Sequence, residues 1–351
     1  MTKQDFLDKL KQQINHLPQK DYQEIIDHFT EYFDEAGPDH EQAILKELGN
    51  PEDIAKELLK ALDLPEKTDE DDWTNWEIDS KTRSESNSQE LEPIVDIRYS
   101  LLNHDLTIEA ADIPYPTISY DDNRITISQD SDGMLNIIED SAVQTIQYGF
   151  HFLDRWLAKY QPITLTLPVN HHLKKISGEN DNNDVTIRHI HCDSIVSNTY
   201  NGTISISHLS DSTVNLSSKN GNIILEHCHI QSSKCQAKNA NLSCDNSTLI
   251  NCQLNNNNGN IRLEASQLTE TFIENKNGNI IGQQLSFSND ITIINKNGII
   301  DINCPRENLI YYDVKASNNN GFVTISQEAG RQTPFKAQLT ISNNNGLISV
   351  S

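Results

Sequence analysis

Three acidic residues, Glu226, Asp245 and Glu264, recur at equal intervals in this 351-residue chain. Side chains at such equivalent positions of neighbouring strands would lie about 5 Å apart, where like charges repel. Adjacent carboxylates can exchange protons in catalysis, bind a metal ion or attract a cationic ligand. Three interpretations stay open: a solvated set partly balanced by neighbours such as Arg262, a site for a cationic peptide or metal ion, and a catalytic site.

The histidines predict no metal centre. His189 with His191, and His227 with His229, could each place two imidazoles on one strand face, and two such pairs could bind a metal. The pairs differ in phase, however, because His191 follows position 184 by seven residues and His227 follows Gly221 by six. We therefore predict surface histidines. The chain has no Ser-His-Asp grouping, P-loop or GxGxxG fingerprint, so we expect no catalytic residue, no cofactor and no enzymatic activity.

Six cysteines are present, without any CxxC pair, which disfavours a structural zinc site. Cys228, Cys235 and Cys244 share repeat positions with aliphatic residues, as small buried apolar side chains do. A disulfide framework is the alternative. Reduced thiols, the lack of a signal peptide and the lack of a long apolar run predict a cytoplasmic protein. Association with the cell surface by non-standard export is the alternative.

The acidic residues belong to a repeat marked by Asn-Gly pairs. Gly accepts a positive φ without steric cost and Asn tolerates it, so the pair suits a tight corner before a strand. Successive corners are almost evenly spaced from Gly202 to Gly298, and the later steps, to Gly321 and Gly346, are longer. We expect the asparagines at these corners to stack and to hydrogen-bond from coil to coil. They are Asn201, Asn220, Asn239, Asn258, Asn277, Asn297, Asn320 and Asn345.

Apolar residues stand two and four positions after most corners, and a third apolar column stands 14 positions after them. This alternation is typical of short strands with one inward face. A fixed period of about 20 residues indicates a solenoid whose stacked coils bury these columns. The sequence therefore predicts a single-stranded parallel β-helix over residues 93–351, with coils of about 19–25 residues.

An alternating strand, Leu167-Pro168 and a polar turn open this region at 161–187, and the Asn-Gly coils follow. In these features residues 94–351 resemble the DUF4097 family of adhesin-like proteins. The resemblance implies a β-strand-repeat solenoid of unknown or non-enzymatic function. Apolar residues at helical spacing near 142–160 predict a helix capping the open end of the solenoid. A membrane-binding or partner-binding helix is the alternative for this segment.

Residues 1–62 predict a small bundle of four helices, which begin near positions 2, 21, 40 and 51. Tyr32-Phe33 and the Leu48-Gly49-Asn50-Pro51 turn resemble the HAAS (DUF1700) family of small helical modules. Members of that family occur with membrane segments and envelope-stress regulators, and no catalysis is attributed to them. Residues 63–92 are acidic and serine-rich, which predicts a flexible linker. Trp73 and Trp76 within it are candidates for a short anchor onto one of the domains.

The net charge of −24 argues against nucleic acid as a partner and suits cationic ligands. The order of the two modules resembles that of bacterial envelope-stress proteins. This resemblance implies binding and signalling: the solenoid engages a cationic peptide, an envelope component or a protein, and the helical module contacts a membrane regulatory partner. A structural, adhesin-like interaction scaffold is the first alternative, and a carbohydrate-active β-helix enzyme is the second. The oligomeric state stays open.

Overall fold

A computed structural model describes residues 1–15, 17, 22–23, 25–27, 29–30, 33, 41–61, 87–120, 124–139 and 162–351. These residues fall into two compact units, one within 1–61 and the other from residue 87 onward. The predicted capping helix at 142–160 and the segment that contains Trp73 and Trp76 lie outside the described residues.

The N-terminal unit is helical. Thr2 caps the first helix by accepting a hydrogen bond from the Asp5 amide, and the Asp5 carboxylate accepts one from the Thr2 amide. Gly49, at φ 75°, follows the helix that ends at Leu48 and adopts a left-handed conformation that favours glycine. The described residues between 22 and 33 are helical as well. The helices with full bounds are α1 (Lys3–Ile14), α2 (Glu41–Leu48) and α3 (Pro51–Ala61).

Aromatic rings form the centre of this helical unit. The ring of Phe6 lies 5.7 Å from that of Phe29 and 5.6 Å from that of Phe33, measured between centroids. All three side chains are buried, together with Leu10 and Ile54. Each buried apolar side chain of this size contributes about 1.5–3 kcal/mol. The packing of these apolar faces stabilises the short helices, which are marginal in isolation.

The second unit consists almost entirely of strands. Its one described helix is α4 (Arg306–Leu309). The strands are β1 (Asn87–Glu90), β2 (Asp96–Leu101), β3 (Leu106–Ala111), β4 (Thr117–Tyr120), β5 (Ile125–Gln129), β6 (Met134–Glu139), β7 (Ile163–Pro168), β8 (His172–Asn180), β9 (Val185–Arg188), β10 (His191–Thr199), β11 (Ile204–Ser207), β12 (Ser210–Ser218), β13 (Ile223–Glu226), β14 (His229–Ala237), β15 (Leu242–Asp245), β16 (Thr248–Ile250), β17 (Cys252–Asn258), β18 (Ile261–Glu264), β19 (Gln267–Thr269), β20 (Phe272–Asn277), β21 (Ile280–Gln283), β22 (Ser286–Ile302), β23 (Tyr312–Ile325) and β24 (Ala337–Val350).

Strands one repeat apart pair in parallel, so the chain winds in stacked coils. On one face Ile204 of β11 lies between Val185 of β9 and Ile223 of β13. On another face Leu216 of β12 is opposite Cys235 of β14. These inward side chains are fully buried in one continuous core. Parallel pairing in register explains the period, because each coil must return its apolar residues to the same inward position.

The start of the β-rich unit departs from a uniform winding. Ile97 of β2 is opposite Ile176 of β8, although the two are several repeats apart in the sequence. This part of the chain combines the parallel pairs β2–β6 and β3–β7 with antiparallel pairs, in which β1 pairs with β4, β4 with β7 and β5 with β6. The prediction of a single-stranded parallel β-helix with coils of about 19–25 residues therefore does not hold for this part of the chain.

Strand pairing of the β-rich unit begins before residue 93. Strand β1 lies inside the segment 63–92 that was predicted to be a flexible linker. Its residues, Asn87 to Glu90, are polar in type, and their backbone pairs with β4. A prediction based on apolar periodicity could not detect a strand of this kind.

At the other end, stacking order and chain order differ. Strand β24 pairs with β22 on one side and with β23 on the other, so it lies between two strands that precede it. Gly346 is consequently opposite both Gly298 and Gly321. The longer steps to Gly321 and Gly346 are thus not successive rises along the stack.

Candidate functional site: adjoining columns of carboxylates and histidines

The three carboxylates predicted from the repeat lie in one column on the outside of the coils. Glu226 ends β13, Asp245 ends β15 and Glu264 ends β18, and the pairing register places Asp245 opposite both of the others. The residues that precede them point inward and are buried, so the alternation of the strand turns the carboxylates outward. We call Glu226, Asp245 and Glu264 the acidic column.

Charges within the acidic column are only partly balanced. Arg262 Nη2 lies 2.6 Å from Glu264 Oε2, an ion pair between largely exposed groups. Partial burial raises the pKa of Asp245, and the negative charges of Glu264 and Glu226 raise it further, whereas Arg262 lowers it. Asp245 Oδ1 is buried and has no hydrogen-bond partner within the described residues. The column therefore has negative charge that its own neighbours do not neutralise, which favours a cationic ligand.

A column of histidines meets the acidic column in one coil, where His227 follows Glu226, and continues from there through the two preceding coils. His189, His208 and His227 have φ values of 56°, 54° and 54°, so each occupies a left-handed corner. The rings of His189 and His208 are stacked with centroids 4.1 Å apart, and those of His208 and His227 are 4.9 Å apart. Histidine is enriched in this conformation among residues other than glycine. We call these residues the histidine column, and the two columns together the charged corner.

The stacked imidazoles influence one another. Desolvation lowers the pKa of His208, the neighbouring His189 and His227 lower it further, and Glu226 raises it. The rings lie within about 5 Å of one another, so a positive charge on one disfavours a positive charge on the next. Because its pKa is lowered, His208 gains its positive charge only below the usual histidine range.

The sequence did not reveal the histidine column, because the histidines near 190 and near 228 were interpreted as two pairs that differ in phase. The error lies in the origin chosen for the first coil. Position 183, and not 184, corresponds to Gly202 and Gly221, and from that origin His189, His208 and His227 each stand six residues on. Asn183 replaces the corner glycine in this coil, so the usual marker of the phase is absent.

One of the remaining members of the predicted pairs, His229, contacts an aspartate, as does His172. His229 Nδ1 lies 2.9 Å from Asp211 Oδ1, and His172 Nε2 lies 3.0 Å from Asp193 Oδ1. His191 is opposite His172 in the β8–β10 pair. No group of three or more His, Cys, Asp or Glu side chains in the described part of the chain is arranged to hold a metal ion.

The eight corner asparagines that were expected to stack form a hydrogen-bonded chain, which we call the outer asparagine ladder. Each amide Nδ2 donates to the Oδ1 of the preceding rung at 2.7–3.0 Å. Asn182 and Asn103 extend the chain before Asn201. At the far end the order is Asn297, Asn345, Asn320, because β24 lies between β22 and β23.

A second series of asparagines, not predicted from the sequence, lies inside the same corners. Each stands three residues before a corner glycine and donates from Nδ2 to a glycine or alanine carbonyl of the adjoining coil at 2.8–3.0 Å. The signal in the sequence was the Asn-x-x-Gly spacing. We call this series the inner asparagine row: Asn256, Asn275, Asn295, Asn343 and Asn318.

All six cysteines are free and buried. Burial raises the pKa of Cys192 to about 11 and that of Cys235 to about 12. Among the helices that the structure describes, none has the length and apolar character needed to cross a membrane.

Comparison with known proteins identifies the two units. The chain belongs to the Toastrack DUF4097 family, which matches residues 95–351, and residues 5–57 match the HAAS family. The order of modules expected from the sequence is thereby confirmed, whereas the resemblance to envelope-stress proteins is not. No curated protein matches the chain.

Several solved structures are similar to about three quarters of the chain. A proposed adhesin from Parabacteroides distasonis ATCC 8503 shares 11% identity, with 76% of this chain and 96% of that chain covered and a TM-score of 0.38. A proposed adhesin from Bacteroides fragilis NCTC 9343 shares 15%, with 76% and 96% covered and a TM-score of 0.34. A proposed lipid-binding protein from P. distasonis shares 14%, with 77% and 98% covered and a TM-score of 0.30.

Proposed function

We propose that this chain is a non-enzymatic binding protein whose Toastrack unit, a parallel β-solenoid, presents the charged corner to a cationic peptide or protein. The observation that supports the proposal is the alignment of Glu226, Asp245 and Glu264 in adjoining coils, with Asp245 Oδ1 left without a partner within the described residues. Coils in fixed register hold the three carboxylates without further ordering, which lowers the entropic cost of binding.

The proposed role is in the response of a bacterial cell envelope to stress. In this role the helical module contacts a membrane regulatory partner, and the Toastrack unit engages a cationic antimicrobial peptide, an envelope component or a protein. The resemblance to the HAAS family and the order of the modules support this part of the proposal. The location we propose is cytoplasmic, with cell-surface association as the alternative.

A titration tests the binding proposal. A short Lys- and Arg-rich peptide is titrated into the full chain and into the variant Glu226→Gln/Asp245→Asn/Glu264→Gln. The matched control is Glu179→Gln/Asp290→Asn/Glu307→Gln, which removes the same number and types of acids elsewhere. We expect at least a tenfold loss of affinity in the first variant, or about 1.4 kcal/mol, and a much smaller loss in the control. Equal losses in the two variants would show that only net charge matters.

A structural, adhesin-like interaction scaffold is the alternative function. Under it, the acidic column has no special part in binding, and the affinity for cationic peptides is low and the same in both variants. A carbohydrate-active enzyme is the second alternative, since a spacing of one strand is close to the separation of about 5 Å used by retaining glycosidases. Turnover of any member of a polysaccharide panel, abolished by Asp245→Asn, would favour the enzyme over both binding proposals.

A further inference from the structure

We propose that two copies of this chain associate through β23, end to end, with their β23 strands antiparallel about a two-fold axis near Val314. The occupant of this surface is thus a second copy of the chain. The inference is independent of the charged corner and of the proposed function.

The first observation is that the core is uncovered at this end. In register, Val314 and Ala316 of β23 lie over Leu339 and Ile341 of β24, which are almost fully buried. Val314 and Ala316 themselves are only half-buried, and Val323, which lies over buried Ile348, is 41% exposed. These residues point along the inward columns, but no further coil covers them within the described structure. Terminal repeats of solenoids normally need such a cover.

The second observation is the open backbone of the same strand. β23 is 14 residues long, and β24 is its one partner strand among the described residues. The N–H and C=O groups on its other side are therefore available to another strand. A partner strand would satisfy these groups and cover the apolar side chains at once.

The opposite end of the stack decides between two modes of self-association. Head-to-tail stacking would require a matching parallel edge at the start of the solenoid. There, β6 is paired antiparallel with β5, and β7 is paired antiparallel with β4, which in turn pairs with β1. The described start of the stack thus ends in the antiparallel strands β1 and β5, which do not continue the parallel coils, and this favours a meeting of the C-terminal ends. Association of two identical ends uses up both of them, so it forms a closed dimer to which no third copy adds.

The third observation is a charge pattern that complements itself. Asp313 and Lys315 lie on the same outward face, with Lys315 Nζ 3.3 Å from Asp313 Oδ2. In an antiparallel pair centred on Val314, Asp313 of each copy is directly opposite Lys315 of the other. Residues Tyr312 to Ala316 then pair on both strands, within the straight part of β23 that precedes the Asn320-Gly321 corner. The geometry places four alternating charges around the two-fold axis, where unlike charges opposite each other stabilise strand pairing.

Charge-swap variants of the full chain test this arrangement by sedimentation velocity over about a hundredfold range of concentration. Asp313→Lys and Lys315→Asp each place like charges opposite each other, so each variant alone is expected to sediment as a monomer. An equimolar mixture restores both unlike pairs and is expected to give a dimer, as the native chain does. Glu179→Lys and Lys234→Asp, which alter exposed residues of β8 and β14 several coils away from the axis, are the matched controls and are expected to dimerise.

Hydrogen exchange of the native chain supplies the second measurement. If the proposal holds, β23 amides exchange faster on dilution, in parallel with dissociation of the dimer. If the native chain is a monomer at every concentration, the proposal is overturned. Protection of β23 amides in that monomer would show that another part of this chain covers the strand. Dimers of both single charge variants, or a mixture no more associated than its components, would equally overturn the antiparallel β23 pairing.

Discussion

The two series of asparagines at the same corners lead to a quantitative prediction. Asn275, in the inner asparagine row, is 1% exposed and donates at 3.0 Å to the carbonyl of Gly259. Asn277, two residues on in the outer asparagine ladder, is exposed and bonded to Asn258 at 2.8 Å and to Asn297 at 2.8 Å. We predict that the inner asparagine contributes more to stability, although it forms fewer hydrogen bonds.

The magnitudes follow from solvent access. Asn275→Ala leaves the Gly259 carbonyl without its donor where water cannot replace it, at a cost of about 1–3 kcal/mol, and removes packed atoms as well. Asn277→Ala breaks two exposed hydrogen bonds that water can replace, so we expect a cost below about 1 kcal/mol. The free energy of unfolding of the two variants should therefore differ by about 1–2 kcal/mol.

Urea unfolding followed by far-UV circular dichroism in the β-sheet band measures both variants. Asn275→Asp serves as a second inner variant, because it keeps the shape, removes the donor and turns a carboxylate towards a carbonyl, so it should cost more than Asn275→Ala. Equal costs for the inner and outer alanine variants, or a larger cost for Asn277→Ala, would refute the reasoning.

Four further predictions concern other parts of the chain. Gly278→Ala should cost at least about 3 kcal/mol, measured by urea unfolding, because φ is 127° and an added Cβ would overlap the Gly259 carbonyl oxygen. Burial raises the pKa of Glu139, but hydrogen bonds from His104, Asn103 and Leu102 outweigh burial and lower it overall. Its contribution to stability is therefore present above the usual carboxyl pKa and is lost as pH falls through the lower folded value, so Glu139→Gln should flatten acid unfolding curves in that window. The six cysteines should react with a thiol reagent only on unfolding, since burial raises the pKa of each thiol; rapid labelling of the native chain would contradict this. Affinity for a cationic peptide, measured by titration at several pH values, should fall as pH drops below the usual histidine range, where His208 with its lowered pKa gains a proton; His208→Asn, which tolerates the same corner, should remove part of that fall.

The repeat made much of the core predictable. A constant repeat interval brings Ile204 and Ile223 into one inward column, because parallel strands can stack only in register. The same interval brings Glu226, Asp245 and Glu264 together, since a residue at a constant distance from the corner keeps its direction.

Other features depended on information that the repeat does not contain. The phase of the histidine column was lost because Asn183 stands where later coils have glycine. The placement of β24 between β22 and β23 could not be predicted, because all three strands have the same phase and differ only in the path of the segments between them. The inner asparagine row was overlooked because a polar residue at an inward position contradicts the apolar pattern unless its carbonyl acceptor is known.

The measurement that tests the binding account most directly is a hydrogen-exchange footprint of a Lys- and Arg-rich peptide on the full chain. If the charged corner binds it, protection should centre on the strand ends at Glu226, Asp245 and Glu264 and on the corner residues that follow them. The protection should disappear in Glu226→Gln/Asp245→Asn/Glu264→Gln and persist in Glu179→Gln/Asp290→Asn/Glu307→Gln. Protection at any other face of the coils, or protection unchanged in the first variant, would contradict the account.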